Sequence, residues 1–177
     1  MALDPNRSFL PIRIAIMTVS DSRTLADDRS GQTLVDRLEA AGHVLADRAI
    51  ITDDAALIAV KLSEWIADET VDAVITTGGT GLTGRDVTPE AFDQVCEKEI
   101  PGFGELFRWI SFQKIKTSTV QSRATAGVAN GTYLFALPGS PGACKDGWDE
   151  ILAFQLDYRH KPCNFVELMP RLKEHMA

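Results

Sequence analysis

The chain has 177 residues, 45% of them hydrophobic, with a net charge of −7. This fits one globular domain with a substantial core and excludes a basic nucleic-acid binder. No window approaches the roughly 18 apolar residues of a membrane span, and the three scattered cysteines (Cys96, Cys144, Cys163) read as reduced thiols of a cytoplasmic protein.

Residues 1–11 contain Asp4 and Arg7 and no apolar run, so they read as a loosely ordered lead-in and not as a signal peptide. Residues 12–19 (Ile-Arg-Ile-Ala-Ile-Met-Thr-Val) predict a buried strand that ends in Ser20-Asp21-Ser22-Arg23. After a polar loop, Ser30 is the expected cap of a helix with Leu34, Val35, Leu38 and Ala41 at helical spacing, closed by Gly42. His43, like His160 and His175, has no zinc-ligand spacing to the cysteines. Residues 44–51 predict a second strand, polar enough for a place near a sheet edge. Asp53 or Asp54 caps the next helix, which carries Leu57, Ile58, Leu62, Trp65 and Ile66.

A third, β-branched strand over 71–77 breaks into Gly78, Gly79, Gly81 and Gly84, four glycines within seven residues. Interleaved with threonines and followed by Arg85-Asp86, they suggest bare backbone amides facing an anion. Thr88 then reads as an N-cap with Pro89 at the first helical position, for a helix over 89–97. Residues 99–102 read as a break. A helix over 104–114 follows, with Phe103, Leu106, Phe107 and Ile110, and with Trp109, as a core stripe or a subunit contact. Residues 118–131 read as either a helical turn or a strand, with Asn130-Gly131 marking a turn. A strong strand over 132–137 ends in Pro138-Gly139-Ser140-Pro141-Gly142, and a helix over 143–158 follows. The tail, with Pro162 and Pro170, predicts loop plus a short helix. Regular alternation of strand and helix predicts a single α/β domain over 1–177: three layers, αβα, with a mainly parallel sheet and helices on both faces.

In open parallel sheets, ligands bind beyond the carboxyl ends of the strands, and every unusual loop here falls at such an end. The glycine loop matches neither a P-loop nor a dinucleotide fingerprint; a purely structural glycine turn is the bland alternative. Asp86 and Asp53 could each simply serve a helix start. Together, on neighbouring strand ends, they could share a Mg²⁺ and so bring a triphosphate to an acidic protein. Ser140-Pro141-Gly142 repeats the pattern of small residues at a helix start and could hold a second anion, with Arg123 or Lys145 as available cations. No base lies near a cysteine in the sequence, which argues against a thiol nucleophile.

Thr76-Thr77-Gly78-Gly79-Thr80-Gly81 with Gly84-Arg85-Asp86-Val87-Thr88-Pro89-Glu90 resembles the molybdopterin-binding domain of the MoaB/MogA family. Residues 18–23, 100–105 and 137–142 match as well, so the resemblance runs from about Ile12 to Asp157; residues 122–130 and 159–165 look most like the MoaB branch. The resemblance implies a MogA-like fold and a role in molybdenum cofactor biosynthesis. It implies that the terminal phosphate of molybdopterin is adenylylated by Mg-ATP with release of pyrophosphate; a non-catalytic molybdopterin-binding or scaffold protein is the alternative. It carries over Asp53 and Asp86 as catalytic, Mg²⁺-holding carboxylates. Ser20, Asp21, Gly78, Gly79, Thr80 and Gly81 become nucleotide or phosphate contacts, and Ser140, Pro141, Gly142 and Arg123 the molybdopterin side. It also implies a homotrimer or homohexamer.

Overall fold

Strand β3 (Ala73–Thr77) and strand β6 (Thr132–Leu137) are buried at every position, and β1 (Arg13–Val19) is buried beyond its first residue. Such runs of apolar and β-branched residues suit strands covered on both faces. The computed structural model describes residues 3–174, so His175 lies outside the described residues. Among these residues the sheet has six strands in the order β2-β1-β3-β6-β5-β4, where β2 is Val44–Ile51, β4 is Lys98–Glu99 and β5 is Thr125–Ala129. Strands β2, β1, β3 and β6 are parallel, whereas β5 is antiparallel to β6 and β4 to β5. Strand β2 is an edge, as its polarity suggests.

Alternation along β1 distributes the core between two faces. Ile14 and Ile16 pack with Leu34 and Leu38 of α1 (Arg29–Ala40), Phe103 and Phe107 of α4 (Pro101–Ile115), and Phe135. Ala15, Met17 and Val19 pack on the other face with Ile58, Leu62 and Trp65 of α2 (Ala55–Ala67) and Phe92 of α3 (Thr88–Val95). The three-layer arrangement with helices on both faces follows directly. Full burial of a side chain such as Leu62 or Phe107 is worth about 1.5–3 kcal/mol.

Several local expectations change in the folded chain. Asp28, and not Ser30, caps α1: its carboxylate accepts from the Gly31 amide at 2.9 Å, from Thr18 Oγ1 at 2.7 Å and from Arg48 Nη2 at 3.0 Å. The tertiary partners Thr18 and Arg48 favour the residue that can serve them and the cap together. Thr88 opens α3 but makes no cap bond, because its hydroxyl donates to the Gly78 carbonyl at 2.8 Å. Helix α4 begins at Pro101, inside the expected break, since proline suits a first helical position. On α4 only Phe103 and Phe107 are core, whereas Leu106 is 41% and Trp109 66% exposed.

The ambiguous residues 118–131 divide into a 3-10 turn (Lys116–Gln121) and β5, and Asn130-Gly131 forms the turn into β6 with positive φ at both residues. The last long helix is α5 (Pro141–Gly147), a π turn (Trp148–Leu152) and α6 (Ala153–Gln155), with α7 (Phe165–Leu168) in the tail. The lead-in is docked against that tail: the Asp4 amide donates to the Arg159 carbonyl at 2.8 Å, and Arg7 Nη2 bonds Glu167 Oε1 at 2.8 Å.

Burial pushes the Asp28 carboxyl up, but hydrogen bonds from Thr18, Gly31 and Arg48 outweigh it and hold the group below the ordinary aspartate value. A depressed carboxyl contributes stability above its unfolded pKa and loses it as pH falls through the folded value. Asp28→Asn, which leaves Arg48 without its buried partner, is expected to cost about 3 kcal/mol in urea unfolding at pH 7. The difference from the parent protein should shrink as the pH is lowered below the aspartate range.

Candidate functional site

The chain passes from β1 to β2 on one side and then crosses to β3 on the other side of β1, so β1 and β3 flank a topological switch point. A crevice at the carboxyl ends of the strands is expected there. The β1 loop turns tightly, with Ser20 Oγ accepting from the Ser22 and Arg23 amides at 3.3 and 3.2 Å. The β3 loop meets it at once. Gly78 has φ 106°, and a Cβ there would lie 2.2 Å from the Val19 carbonyl oxygen. Only glycine satisfies both conditions.

The rest of the glycine loop is tied to α3 and to β6. The Thr88 amide donates to the Gly79 carbonyl at 2.9 Å, and the Gly78 amide to the Leu137 carbonyl at 3.0 Å. Asp86 folds its carboxylate back into the loop, where Oδ2 accepts from Thr83 N at 2.8 Å and from Thr83 Oγ1 at 2.7 Å. A Cβ on Gly81 would lie 2.7 Å from that same Oδ2, so the close approach of loop to carboxylate needs a glycine there.

A cavity of about 590 Å³ opens beside this loop, within the range of small-molecule sites. One side is made by Gly78, Gly79, Thr80, Gly81 and Asp86, with Ser20, Ser22 and Arg23 from the β1 loop. Gly139 and Ser140 close one end, Ser140 being the N-cap of α5 through a 3.2 Å bond from the Ala143 amide. The far wall comes from Phe107, Ser111 and Ile115 of α4 and from Ser118, Thr119, Gln121 and Ser122 of the 3-10 turn region. That wall was not anticipated. Its signal was the hydroxyl-rich run 117–122, whose position depends on how β5 pairs.

The remaining candidates stand around the cavity and not on its lining. Asp54 caps α2 by accepting from the Ala56 and Leu57 amides, which leaves Asp53 free of that duty. Asp53 offers its amide to Asp21 Oδ1 at 3.2 Å, and Asp21 is held by Arg85 in a two-pronged pair at 3.0 and 2.7 Å. Arg123 lies behind the loop: Nε bonds the Gly81 carbonyl and Nη2 the Asp86 carbonyl, both at 2.7 Å, and Nη1 pairs with Glu90. Pro141 and Gly142 form the first turn of α5.

Burial raises the Asp53 carboxyl above the usual value, and the negative charges of Asp21 and Asp86 add to this against the pull of Arg85. Asp86 is also pushed up by burial, but hydrogen bonds from Thr83 and Gly81 and the nearby Arg123 hold it below the usual value. Among the described residues no three His, Cys, Asp or Glu side chains converge as a ready cation cage. Asp53 follows β2 and Asp86 follows β3, and β1 lies between those strands, so the two carboxylates are not on neighbouring strand ends as the sequence suggested. Each remains a hard oxygen donor of the kind Mg²⁺ takes alongside phosphate and water. The Cys144 thiol, beneath the cavity, is pushed up to about 11 by burial and is no nucleophile at neutral pH.

Comparison with known proteins supports the family suggested by the sequence. The profile described as "probable molybdopterin binding domain" matches residues 15–158. The chain is 51% identical to molybdenum cofactor biosynthesis protein B of Escherichia coli K12 over 166 residues, 94% of this chain and 96% of that protein. It is 41% identical to the protein of the same name from Bacillus subtilis 168 over 146 residues, 82% of this chain and 86% of that one. A crystal structure of molybdenum cofactor biosynthesis protein B superposes with a TM-score of 0.82 at 40% identity, covering 85% of this chain and 94% of the other.

Gly78→Ala is expected to cost more than about 2 kcal/mol in urea unfolding, through strained φ and collision with the Val19 carbonyl. Gly84, where a Cβ would meet nothing within 4 Å, provides the control: Gly84→Ala should stay within about 0.5 kcal/mol of the parent.

Proposed function

The chain belongs to the molybdopterin-binding domain family of molybdenum cofactor biosynthesis proteins, and we propose that it adenylylates the terminal phosphate of molybdopterin with Mg-ATP. The observation that carries this reading is one cavity lined both by the glycine loop with Asp86 and by the Ser140 helix start with the apolar, hydroxyl-bearing wall of α4 and the 3-10 turn region. The first half suits a polyphosphate and the second a flat, polar-edged pterin.

In the proposed reaction an oxygen of the molybdopterin phosphate forms a bond to the α-phosphorus of ATP. The bond from that phosphorus to the bridging oxygen breaks, and pyrophosphate leaves with the electron pair. No side chain has to become covalent, in keeping with a site that offers no activated nucleophile. The protein's share is positioning and charge neutralisation. The amides of Gly79 and Thr80 bind phosphate oxygens, while those of Gly78 and Gly81 are engaged by the Leu137 carbonyl and the Asp86 carboxylate and hold the loop in shape. Ser20 shapes the β1 loop, and Asp21 keeps Arg85 beside the strand ends. Asp53 and Asp86 would hold Mg²⁺, which supplies neutralisation of the charge that develops on the leaving pyrophosphate. Ser140 receives the pterin side, with Pro141 and Gly142 forming the helix turn that positions it. Three free cysteines among the described residues suit a cytoplasmic setting.

One observation favours the alternative, a protein that binds molybdopterin without turnover: Asp53 does not line the cavity. Incubation with molybdopterin and Mg-ATP, followed by detection of adenylylated product and pyrophosphate, separates the two. Asp86→Asn and Asp53→Asn are each expected to lower turnover by about 100-fold or more while molybdopterin affinity stays within about twofold. Undiminished turnover in both variants overturns the assignment.

We also propose that the exposed apolar side chains of α4 (Leu106, Trp109 and Phe112) are covered by a second copy of the chain, in a homotrimer or homohexamer. Large exposed apolar side chains grouped on one helix suit such a contact. Trp109→Glu is expected to reduce the mass measured by light scattering toward that of one chain, with the circular dichroism of the parent retained.

A further inference from the structure

Arg123 precedes β5 by two residues. Because β5 runs antiparallel to β6, pairing Thr125 with Ala136, its start lies at the same sheet edge as the glycine loop. The residue is attached to that loop at several points. Its amide donates to the Thr80 carbonyl at 2.9 Å, and its guanidinium reaches the Gly81 and Asp86 carbonyls at 2.7 Å each. The third nitrogen pairs with Glu90 on the first turn of α3. Gly81 and Asp86 are the two ends of loop 81–86, within which the Asp86 carboxylate is held by Thr83.

We propose that Arg123 is a positioning residue that clamps both ends of loop 81–86 and so sets the Asp86 carboxylate at the cavity, in place of contacting the pterin. All three guanidinium nitrogens are engaged on the protein, and the side chain does not line the cavity. The planar fork of arginine can hold two carbonyls in fixed relation, which the single ammonium of lysine cannot. Because Arg123 bonds the main-chain carbonyl of Asp86, it stabilises the loop without consuming the carboxylate. The inference rests on Asp86 acting in the adenylylation site.

The test uses Arg123→Lys and Arg123→Gln in the full chain, with two readouts. Amide hydrogen exchange of residues 80–86 is expected to speed up about tenfold or more in both variants while β3 keeps its parental protection. With molybdopterin and Mg-ATP, kcat should fall about 10- to 100-fold with the KM for molybdopterin within about twofold. Lysine should do no better than glutamine. Raised KM for molybdopterin with kcat retained would make Arg123 a ligand and overturn the clamp. Parental behaviour of Arg123→Lys would reduce the role to charge and overturn it as well, and so would exchange that rises equally in β3. If the parent protein shows no turnover, the functional reading fails but the exchange readout still decides the clamp: acceleration confined to 80–86 supports it, and unchanged exchange refutes it.

Discussion

The approach of the β3 loop to the end of β1 is the constraint on which the site depends. Parallel neighbours at a switch point send their following connections to opposite faces, which opens a crevice between the two strand ends. Here Gly78 passes so close to the Val19 carbonyl that no side chain fits. The bare backbone then continues through Gly79 and Thr80, with Thr88 fastening the Gly78 carbonyl by its hydroxyl and the Gly79 carbonyl by its amide. Amides aimed at a ligand are useful only if they are already fixed, since ordering them on binding would spend affinity. Loop, α3 and β1 fix one another.

An acidic chain would need local devices to hold the anions of the proposed reaction, and the structure has three kinds of group available for this. Backbone amides of the glycine loop provide partial positive charge without a side chain. Arg23 lines the cavity, Arg85 is pinned by Asp21, and Arg123 lies behind the loop, so each arginine is separately oriented. The carboxylates Asp53 and Asp86 remain as oxygen donors near these cations. Their environments differ: burial and like charge raise Asp53, while hydrogen bonds hold Asp86 down.

Helix α4 serves three surfaces at once because 3.6 residues per turn distribute neighbouring side chains around its axis. Phe103 and Phe107 pack on the sheet, and Phe107 continues with Ser111 and Ile115 into the cavity wall. Leu106, Trp109 and Phe112 point away from the core. A contact between copies on that outer face would therefore lie one helix thickness from the cavity, and mechanical coupling between assembly and site would pass through α4.

The sequence by itself determined the local elements: buried β-branched runs, the glycine loop after the third strand, proline at the start of α3, and the gathering of unusual loops at one sheet edge. Those features are local, written in runs of four to eight residues and in the conformations that glycine and proline permit. That one of Asp53 and Asp54 caps α2 was legible for the same reason; that it is Asp54, leaving Asp53 free, was decided by the fold. Only the tertiary structure decided what depends on distant partners. Asp28 caps α1 in place of Ser30 because Thr18 and Arg48 bond the same carboxylate, and Leu106 is exposed while Phe107 is buried because the sheet lies on one side of α4. The far wall of the cavity and the place of Arg123 both follow from β5 pairing antiparallel to β6, a non-local choice that periodicity over 118–131 could not express. The glycine loop marks where the site is; antiparallel pairing of β5, which begins at Thr125, with β6 supplies its opposite wall and its brace.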